Sequence, residues 1–205
     1  MKSVILDWSG VVKDAVGSHL WIVNRMFKKF GISEISLEEL RQNWEQPYML
    51  FYKKYIPNLS LEEQKKNYRE AILSEECPKS ESFPGIVELI KKLKNQRVYL
   101  AIVASDLPET VLPEIKEYGL ENIFDEIFTN VHDKFETVRD LINKQNLDSE
   151  DTFFIGDSNH EIDVAKKAGI NSVAVTWGFC SESRLKSSHP NFIAHNAEEL
   201  EEIFS

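Results

Sequence analysis

The second half of the chain alternates short apolar runs with helical segments, and this alternation constrains the fold more than any other feature. Apolar runs rich in β-forming residues occupy 97–104 (RVYLAIVA), 152–155 (TFFI) and 172–176 (SVAVT). A run that is apolar throughout is typical of a strand covered on both faces. Strands that alternate with helices form right-handed βαβ units. We therefore predict an α/β fold with a Rossmann-like, doubly wound parallel sheet.

Shorter segments complete the predicted sheet and its helices. The apolar run that begins at Val4 predicts a first strand, and short strands are predicted at 126–129 and 192–194. Helices are predicted at 108–118, after a capping box formed by Asp133 and Glu136, at 160–168 and at 197–204.

The segment between the first strand and Phe83 has a different, helical character. A stripe at helical spacing is formed by Leu20, Val23, Phe27 and Phe30. The Ser-Leu-Glu-Glu stretches that begin at Ser36 and Ser60 have the spacing of capping boxes, and 48–55 predicts a helix with a broad aromatic face.

A chain of 205 residues with 42% hydrophobic residues can bury one sizeable core and carry a smaller insertion. We expect an α/β core formed by residues 1–13 and 81–205, with residues 14–80 inserted as a helical cap.

The formal net charge of −10 argues against nucleic acid or an anionic membrane as the main partner. It leaves room for a small phosphorylated molecule, which needs only a local positive pocket. No apolar run approaches the ~20 residues of a membrane span, and the amino terminus lacks a signal-peptide profile. We expect a cytoplasmic protein. Its oligomeric state is not predicted.

Polar side chains follow four of the predicted strands. These residues are Asp7, Ser105, Lys134 and Asp157. The carboxyl ends of parallel strands meet at one edge of the sheet, where ligands bind in such folds, so we expect the four side chains to converge. Each acid or hydroxyl alone could simply cap a helix. A lysine at a helix amino terminus opposes the helix dipole, which makes Lys134 hard to explain as a cap.

These stretches resemble the haloacid dehalogenase-like hydrolase superfamily, in the branch with a helical cap after the first strand that includes phosphoglycolate phosphatases and phosphonatases. The matching stretches are VILDWSGVV, YLAIVASD, DKFETVRDLI and FFIGDSNHEIDVAKKAG. The last stretch is the most specific, because Gly-Asp-Ser is followed by an acid four residues after the aspartate.

The resemblance implies a catalytic carboxylate and a metal site. Asp7 would attack phosphorus and form an aspartyl-phosphate. Mg²⁺ would be held by the Asp7 carboxylate, the Ser9 carbonyl and Asp157. Glu161 would steer a metal-bound water.

The resemblance also implies a phosphate-binding set made of Ser105, the amide of Asp106 and Lys134. The chemistry of the residues agrees, because the anionic Asp7 cannot approach a phosphate without a countercharge, which Mg²⁺ and Lys134 would supply. Gly10 lets the backbone turn sharply after Asp7.

The chain departs from the family's phosphatases at Ser9, where those enzymes have a second aspartate that protonates the leaving group. A serine hydroxyl is a poor acid near neutral pH, and such a loss typically costs ~10²–10⁴-fold in rate. We therefore expect a Mg²⁺-dependent phosphohydrolase for a small phosphate ester, slow or suited to an easy leaving group.

Three alternatives stay open. A phosphonatase-like enzyme would use a cap lysine, for which Lys53 and Lys54 are the candidates. A haloalkanoate dehalogenase also lacks the second acid but needs no Mg²⁺. A catalytically weak member could bind a phosphate ligand for regulation. The substrate depends on cap side chains such as Trp21, Trp44, Tyr48 and Tyr52, which could equally form the core of the cap.

Overall fold

A computed structural model describes residues 2–131 and 133–204 of the chain. Six parallel strands form one sheet in the order β3-β2-β1-β4-β5-β6. The strands are β1 (Ser3–Leu6), β2 (Tyr99–Val103), β3 (Glu126–Phe128), β4 (Thr152–Gly156), β5 (Asn171–Val175) and β6 (Phe192–Ala194). The predicted parallel sheet is confirmed, and β1 lies at its centre, between β2 and β4.

Ten helices accompany the sheet in the described part of the chain. The first four follow β1: α1 (Val16–Lys29), α2 (Leu37–Asn43), α3 (Met49–Tyr55) and α4 (Leu61–Ile72). The others are α5 (Ile86–Asn95), α6 (Pro108–Glu117), α7 (Lys134–Gln145), α8 (Asn159–Ala168), α9 (Glu182–Ser187) and α10 (Ala197–Glu202). The sequence did not predict α9, whose six residues are too few to show a helical period.

Side chains alternate between the two faces of the central strand, as the pleat of a strand requires. Val4 and Leu6 pack with α5 and α6, whereas Ile5 packs with α7 and α8. Both faces are therefore covered by helices, which explains the continuous apolar runs.

The helices α1–α4 lie between β1 and α5, where the insertion was predicted. Their apolar side chains form a cluster that also contains Phe179 and Leu185, which follow β5. The helical insertion therefore packs against the carboxyl edge of the sheet. The division at 13/14 and 80/81 stays a prediction, and its outermost residues, 1 and 205, lie outside the described residues.

The expectations for Phe30 and for the start of α7 differ from the structure. Phe30 follows the end of α1 and is 37% exposed, so it does not extend the buried stripe. Asp133 caps α7 by accepting a hydrogen bond from the amide of Phe135, and Glu136 forms an ion pair with Arg139 instead of closing a capping box.

The two capping boxes predicted in the insertion have different outcomes. Ser60 and Glu63 form the reciprocal pair of hydrogen bonds. Ser36 accepts a bond from the amide of Glu39, but the Glu39 carboxylate accepts a hydrogen bond from the Tyr55 hydroxyl instead of the Ser36 amide. Tertiary contacts thus compete with the local cap. Among the described residues, no helix is long and apolar enough to cross a membrane.

Candidate active site

Asp7 comes directly after the central strand and is only 2% exposed. Its Oδ1 accepts a hydrogen bond of 2.7 Å from the amide of Trp8, and its Oδ2 lies 2.8 Å from Lys134 Nζ. Burial raises the pKa of Asp7 to about 7, although the charge of Lys134 opposes the rise. This carboxyl group therefore lies in the middle of the sheet's carboxyl edge, poised between its charged and neutral forms in the absence of a further cation.

Lys134 is the first residue of α7 and is completely buried. Its ammonium group lies 2.8 Å from Asp7 Oδ2 and 2.8 Å from Glu161 Oε1. Burial by itself lowers the pKa of Lys134, but the two carboxylates outweigh it and raise this pKa above its ordinary value. The charged lysine at a helix amino terminus is thus stabilised by two acids, one directly after β1 and one in the first turn of α8.

Three buried carboxyl groups meet beside this lysine. Asp7, Asp157 and Glu161 each offer an oxygen, and these oxygens all lie within 4.8 Å of one another. Burial, together with the charges of Glu161 and Asp7, raises the pKa of Asp157 well above its usual range. Burial also opposes the charge of Glu161, but Lys134 more than compensates and lowers its pKa. Three carboxyl groups face a single ammonium group, so the cluster has an excess of negative charge that a further cation would balance.

The donor set suits Mg²⁺, a hard cation that prefers oxygen ligands. Asp157 Oδ2 accepts a hydrogen bond of 2.6 Å from the amide of Phe179, while the buried Asp157 Oδ1 has no hydrogen-bond partner among the described residues. A buried oxygen without a donor is costly unless a cation meets it. Both oxygens of Glu161 already accept hydrogen bonds, from Lys134 and from Ser158 Oγ. Both oxygens of Asp7 likewise have partners, the Trp8 amide and Lys134 Nζ, so Asp157 Oδ1 is the clearest candidate for a direct ligand.

Two glycines make room for Asp157. A Cβ atom on Gly10 would lie 2.1 Å from Asp157 Oδ2, and one on Gly178 would lie 2.2 Å from the same atom. Gly10 also has a φ of 89°, which L-residues rarely adopt, so the sharp turn expected after Asp7 is present.

Sequence reasoning missed Ser158. This serine caps α8 and is buried, and its hydroxyl donates to the Glu161 carboxylate. Its position three residues before the acid is the signal that could have found it, since residues at this spacing face each other across the first turn.

Ser9 and Ser105 line the same cavity as Asp7 but make different hydrogen bonds. Ser9 Oγ donates to Asp106 Oδ1 over 2.6 Å. Ser105 Oγ donates to the carbonyl of Val131 over 2.7 Å, so its proton would have to turn away to reach a phosphoryl oxygen. Asp7, Ser9, Ser105 and Asp106 together line a cavity of about 50 Å³. The structure thus brings the seven predicted site residues to one edge of the sheet, while their roles stay predictions.

Residues of the helical insertion and of the segment after β5 also line this cavity. They are His19, Trp44, Gln46, Tyr48, Tyr68 and Phe179. Of the four aromatic residues considered from the sequence, Trp44 and Tyr48 therefore reach the cavity, whereas Tyr52 is completely buried in the cluster of the insertion. Trp21 packs partly buried against that cluster.

The two lysines considered for a phosphonatase-like reaction lie away from Asp7. Lys54 forms an ion pair of 2.7 Å with Glu45, and Lys53 lines a separate apolar groove beside Leu59. The cavity that contains Asp7 has neither of them among its lining residues in the described part of the chain.

Comparison with known proteins places this fold and site in a family. The profile of the haloacid dehalogenase-like hydrolases matches residues 4–175. The chain is 23% identical over 205 residues to a phosphoglycolate phosphatase from Synechococcus elongatus, covering 98% of this chain and 95% of that protein. It is 23% identical, with the same coverage, to a pyrophosphatase (PpaX) from Oceanobacillus iheyensis.

A solved structure agrees with these matches. A haloacid dehalogenase-like hydrolase from Streptococcus pneumoniae superposes with a TM-score of 0.87 at 21% identity, covering 100% of this chain and 99% of that one. The chain belongs to the haloacid dehalogenase-like hydrolase family, which confirms the resemblance inferred from its motifs.

Proposed function

We propose that this protein is a Mg²⁺-dependent phosphohydrolase that acts on a small phosphate ester through an aspartyl-phosphate. The observation that carries the proposal is the position of the Asp7 carboxylate. It lies 2.8 Å from a buried lysine, inside a cluster of three buried acids, and it lines a small cavity. The names of the relatives, a phosphoglycolate phosphatase and a pyrophosphatase, support phosphoryl chemistry.

The residues would divide the reaction between them. An oxygen of Asp7 attacks phosphorus, the bond from phosphorus to the ester oxygen breaks, and the leaving oxygen takes a proton from water, since Ser9 replaces the usual acid. Water then attacks the phosphorus of the aspartyl-phosphate, which returns the Asp7 carboxylate and releases phosphate. Lys134 supplies a fixed positive charge beside the attacking carboxylate in a site that excludes most water.

The metal would be held by the Asp7 carboxylate, the Ser9 carbonyl and Asp157. The unpartnered Asp157 Oδ1 supports this assignment. When bound, Mg²⁺ would neutralise charge on the phosphoryl group. Glu161, whose two oxygens bind Lys134 and Ser158, would position the groups around the metal and not bind it directly.

Ser105 and Asp106 would bind the phosphoryl group at the end of β2. Both line the cavity that contains Asp7. The Ser105 hydroxyl, which donates to Val131, would have to rotate toward the ligand. The substitution at Ser9 favours a leaving group that needs little protonation, or a slow reaction on ordinary esters.

The proposal is tested by phosphate release from an aryl phosphate with and without Mg²⁺, comparing the wild type with the Asp7→Asn variant. We expect turnover that requires Mg²⁺ and is lost in the variant, together with a covalent phosphate on Asp7 detectable by mass spectrometry after acid quench. Turnover by the variant at the wild-type rate would exclude Asp7 as the nucleophile. Phosphate binding without any turnover by the wild type would instead indicate a regulatory member of the family.

A further inference from the structure

A second, larger cavity continues from the one that contains Asp7. Its volume is about 280 Å³, and it shares four lining residues with the smaller cavity: Ser9, His19, Tyr68 and Asp106. A phosphoryl group at Asp7 would fill the smaller space of about 50 Å³. The rest of a substrate would then extend past Ser9 into the larger cavity.

The charged side chains around the larger cavity are mostly acidic. Four acids line it, Glu75, Asp106, Glu114 and Glu117, against two lysines, Lys13 and Lys79. Lys79, Glu75 and Glu117 are exposed, so water and salt screen their charges, which leaves Asp106 and Glu114 as the less exposed acids of the cavity. Lys13 is the buried cation, with 6% exposure.

The charge of Lys13 is already neutralised by a fixed partner. Its Nζ lies 2.5 Å from Glu114 Oε1, and Glu114 Oε2 accepts a hydrogen bond of 2.7 Å from Trp8 Nε1. Two donors thus hold the Glu114 carboxylate in place against the lysine. A substrate carboxylate or second phosphate would have to compete with Glu114 for Lys13 while facing Asp106.

The uncharged polar groups of the cavity can bind hydroxyl groups. Ser18, Ser74, Ser80 and Thr110 line it, together with His19. The imidazole of His19 is 7% exposed, and in the described part of the chain its Nε2 has no hydrogen-bond partner. Burial lowers the pKa of His19 to about 3, so this ring is neutral near pH 7 and offers no charge to an anion.

We infer that the larger cavity receives the leaving group and that this group is uncharged and hydroxylated, not a carboxylate or a second phosphate. The inference rests on the proposed phosphohydrolase function. It separates this chain from relatives whose names specify substrates with anionic leaving groups, which are glycolate from phosphoglycolate and phosphate from pyrophosphate.

A third cavity, of about 230 Å³, offers the competing route. Lys65 and Arg69 line it, and it shares three lining residues with the Asp7 cavity: Tyr48, Tyr68 and Ser105. Arg69 is exposed and forms an ion pair with Glu109, so its charge is partnered as well as screened. This cavity does not have Ser9 among its lining residues. The leaving group would therefore have to depart on the side away from Ser9 to use it.

The test compares two esters of the same length, 2-hydroxyethyl phosphate and phosphoglycolate, which differ in the charge at the end of the leaving group. We expect the wild type to have a kcat/KM at least about tenfold higher for 2-hydroxyethyl phosphate, the effect of one unfavourable charge contact. A preference for phosphoglycolate that the Lys65→Ala variant abolishes would overturn the inference in favour of the third cavity.

Freeing Lys13 should reverse part of this selectivity. In the Glu114→Gln variant the lysine loses its carboxylate partner, and we expect the ratio of kcat/KM for phosphoglycolate to that for 2-hydroxyethyl phosphate to rise about tenfold. The matched control is Glu117→Gln, which removes an exposed acid from the same cavity without freeing the lysine. Because a ratio between substrates is measured, partial unfolding of a variant cancels. Equal ratios in the two variants would contradict the inference.

Binding separates this inference from the proposed function. Calorimetric titration of both esters into the Asp7→Asn protein, and their inhibition of aryl phosphate turnover by the wild type, measure charge preference without hydrolysis of either ester. Tighter binding of 2-hydroxyethyl phosphate supports the inference even if the wild type hydrolyses no ester. The absence of hydrolysis would contradict only the phosphohydrolase proposal. Tighter binding of phosphoglycolate overturns the inference even if catalysis is established.

Discussion

The Ser9 hydroxyl donates a hydrogen bond of 2.6 Å to Asp106 Oδ1, which joins the end of β1 to the end of β2. A carboxylate therefore lies beside the position where the phosphatases that this chain resembles have their second aspartate. It comes from a different strand, however, and it contacts the serine. Any change at Ser9 must be judged together with Asp106.

We predict that Ser9→Asp alone gives little gain in turnover, because the new carboxylate would face that of Asp106 at hydrogen-bond distance. Two like charges at such a distance disfavour each other's ionisation and repel a phosphate. The double variant Ser9→Asp with Asp106→Asn removes the repulsion. We expect it to hydrolyse an alkyl phosphate about 10–100-fold faster than the wild type, at the low end of general acid–base contributions.

An aryl phosphate provides the control, since its leaving group hardly needs a proton. Its turnover should rise less than that of the alkyl ester in the double variant. Equal gains on both esters, or a gain as large in the single variant, would show that Ser9 is not a missing acid.

We predict that Mg²⁺ binding depends on Asp157. Asp157→Asn removes the charge of the residue whose Oδ1 is buried without a partner, so the hard cation loses an anionic ligand. Calorimetric titration should show a loss of affinity of at least about tenfold, the cost of disturbing even an outer partner of a metal. The matched control is Asp163→Asn, an exposed acid on α8, the helix that follows Asp157. Equal affinities in the two variants would place the ion elsewhere.

The sequence predicted the sheet and the position of the site because both depend on simple rules. Apolar runs mark strands buried on both faces, and the ends of parallel strands share one edge, so Asp7, Lys134 and Asp157 had to lie close together. The bond between Ser9 and Asp106 could not be predicted in this way. It joins residues 97 apart in sequence, and it depends on which rotamer each side chain adopts.

Orientation within the helical insertion was equally beyond the sequence. Trp44 and Tyr52 are both buried aromatic residues, but Trp44 lines the Asp7 cavity and Tyr52 does not. Trp44, at the end of α2, stacks on Phe179, a residue that follows a strand far along the chain, whereas Tyr52 packs against Tyr48 and Phe51 within the insertion. Helical periodicity identifies an apolar face but not the surface that covers it.

We predict that Lys134→Met destabilises the metal-free protein strongly. The lysine is completely buried between Asp7 and Glu161, and its loss leaves two buried acids without their cation. Breaking such a buried pair costs roughly 3–5 kcal/mol in the free energy of unfolding. Denaturant titration measures this loss, and added Mg²⁺ should restore part of it.

The control for Lys134→Met is Lys144→Met on the same helix. Lys144 is exposed and pairs with Glu126, so its loss should cost less than about 1 kcal/mol. Similar losses in the two variants would mean that the buried lysine contributes no more than an exposed one.

The last prediction concerns stability at low pH. Burial lowers the pKa of His19 to about 3, from a value near 6.5 in an unfolded chain. Below pH 6.5 the unfolded chain therefore binds a proton that the folded protein cannot, and stability falls as the pH falls toward 3. Between pH 7.5 and pH 5 this group alone should cost the wild type roughly 2 kcal/mol in the free energy of unfolding.

His19→Phe should remove this cost while keeping an aromatic ring against Trp44 and Phe179, whose ring centres lie 4.5 and 5.2 Å from that of His19. Asp7 and Asp157, whose raised pKa values favour the folded state at lower pH, are present in both proteins and cancel in the comparison. Denaturant titrations at the two pH values should therefore show a smaller loss of stability on acidification in the variant.

The control is His189→Asn, a change at an exposed histidine, which should lose as much stability on acidification as the wild type. If His19→Phe loses as much stability as the wild type, the imidazole is protonated in the folded protein, and its burial beside the cavity is relieved by water or movement of the ring.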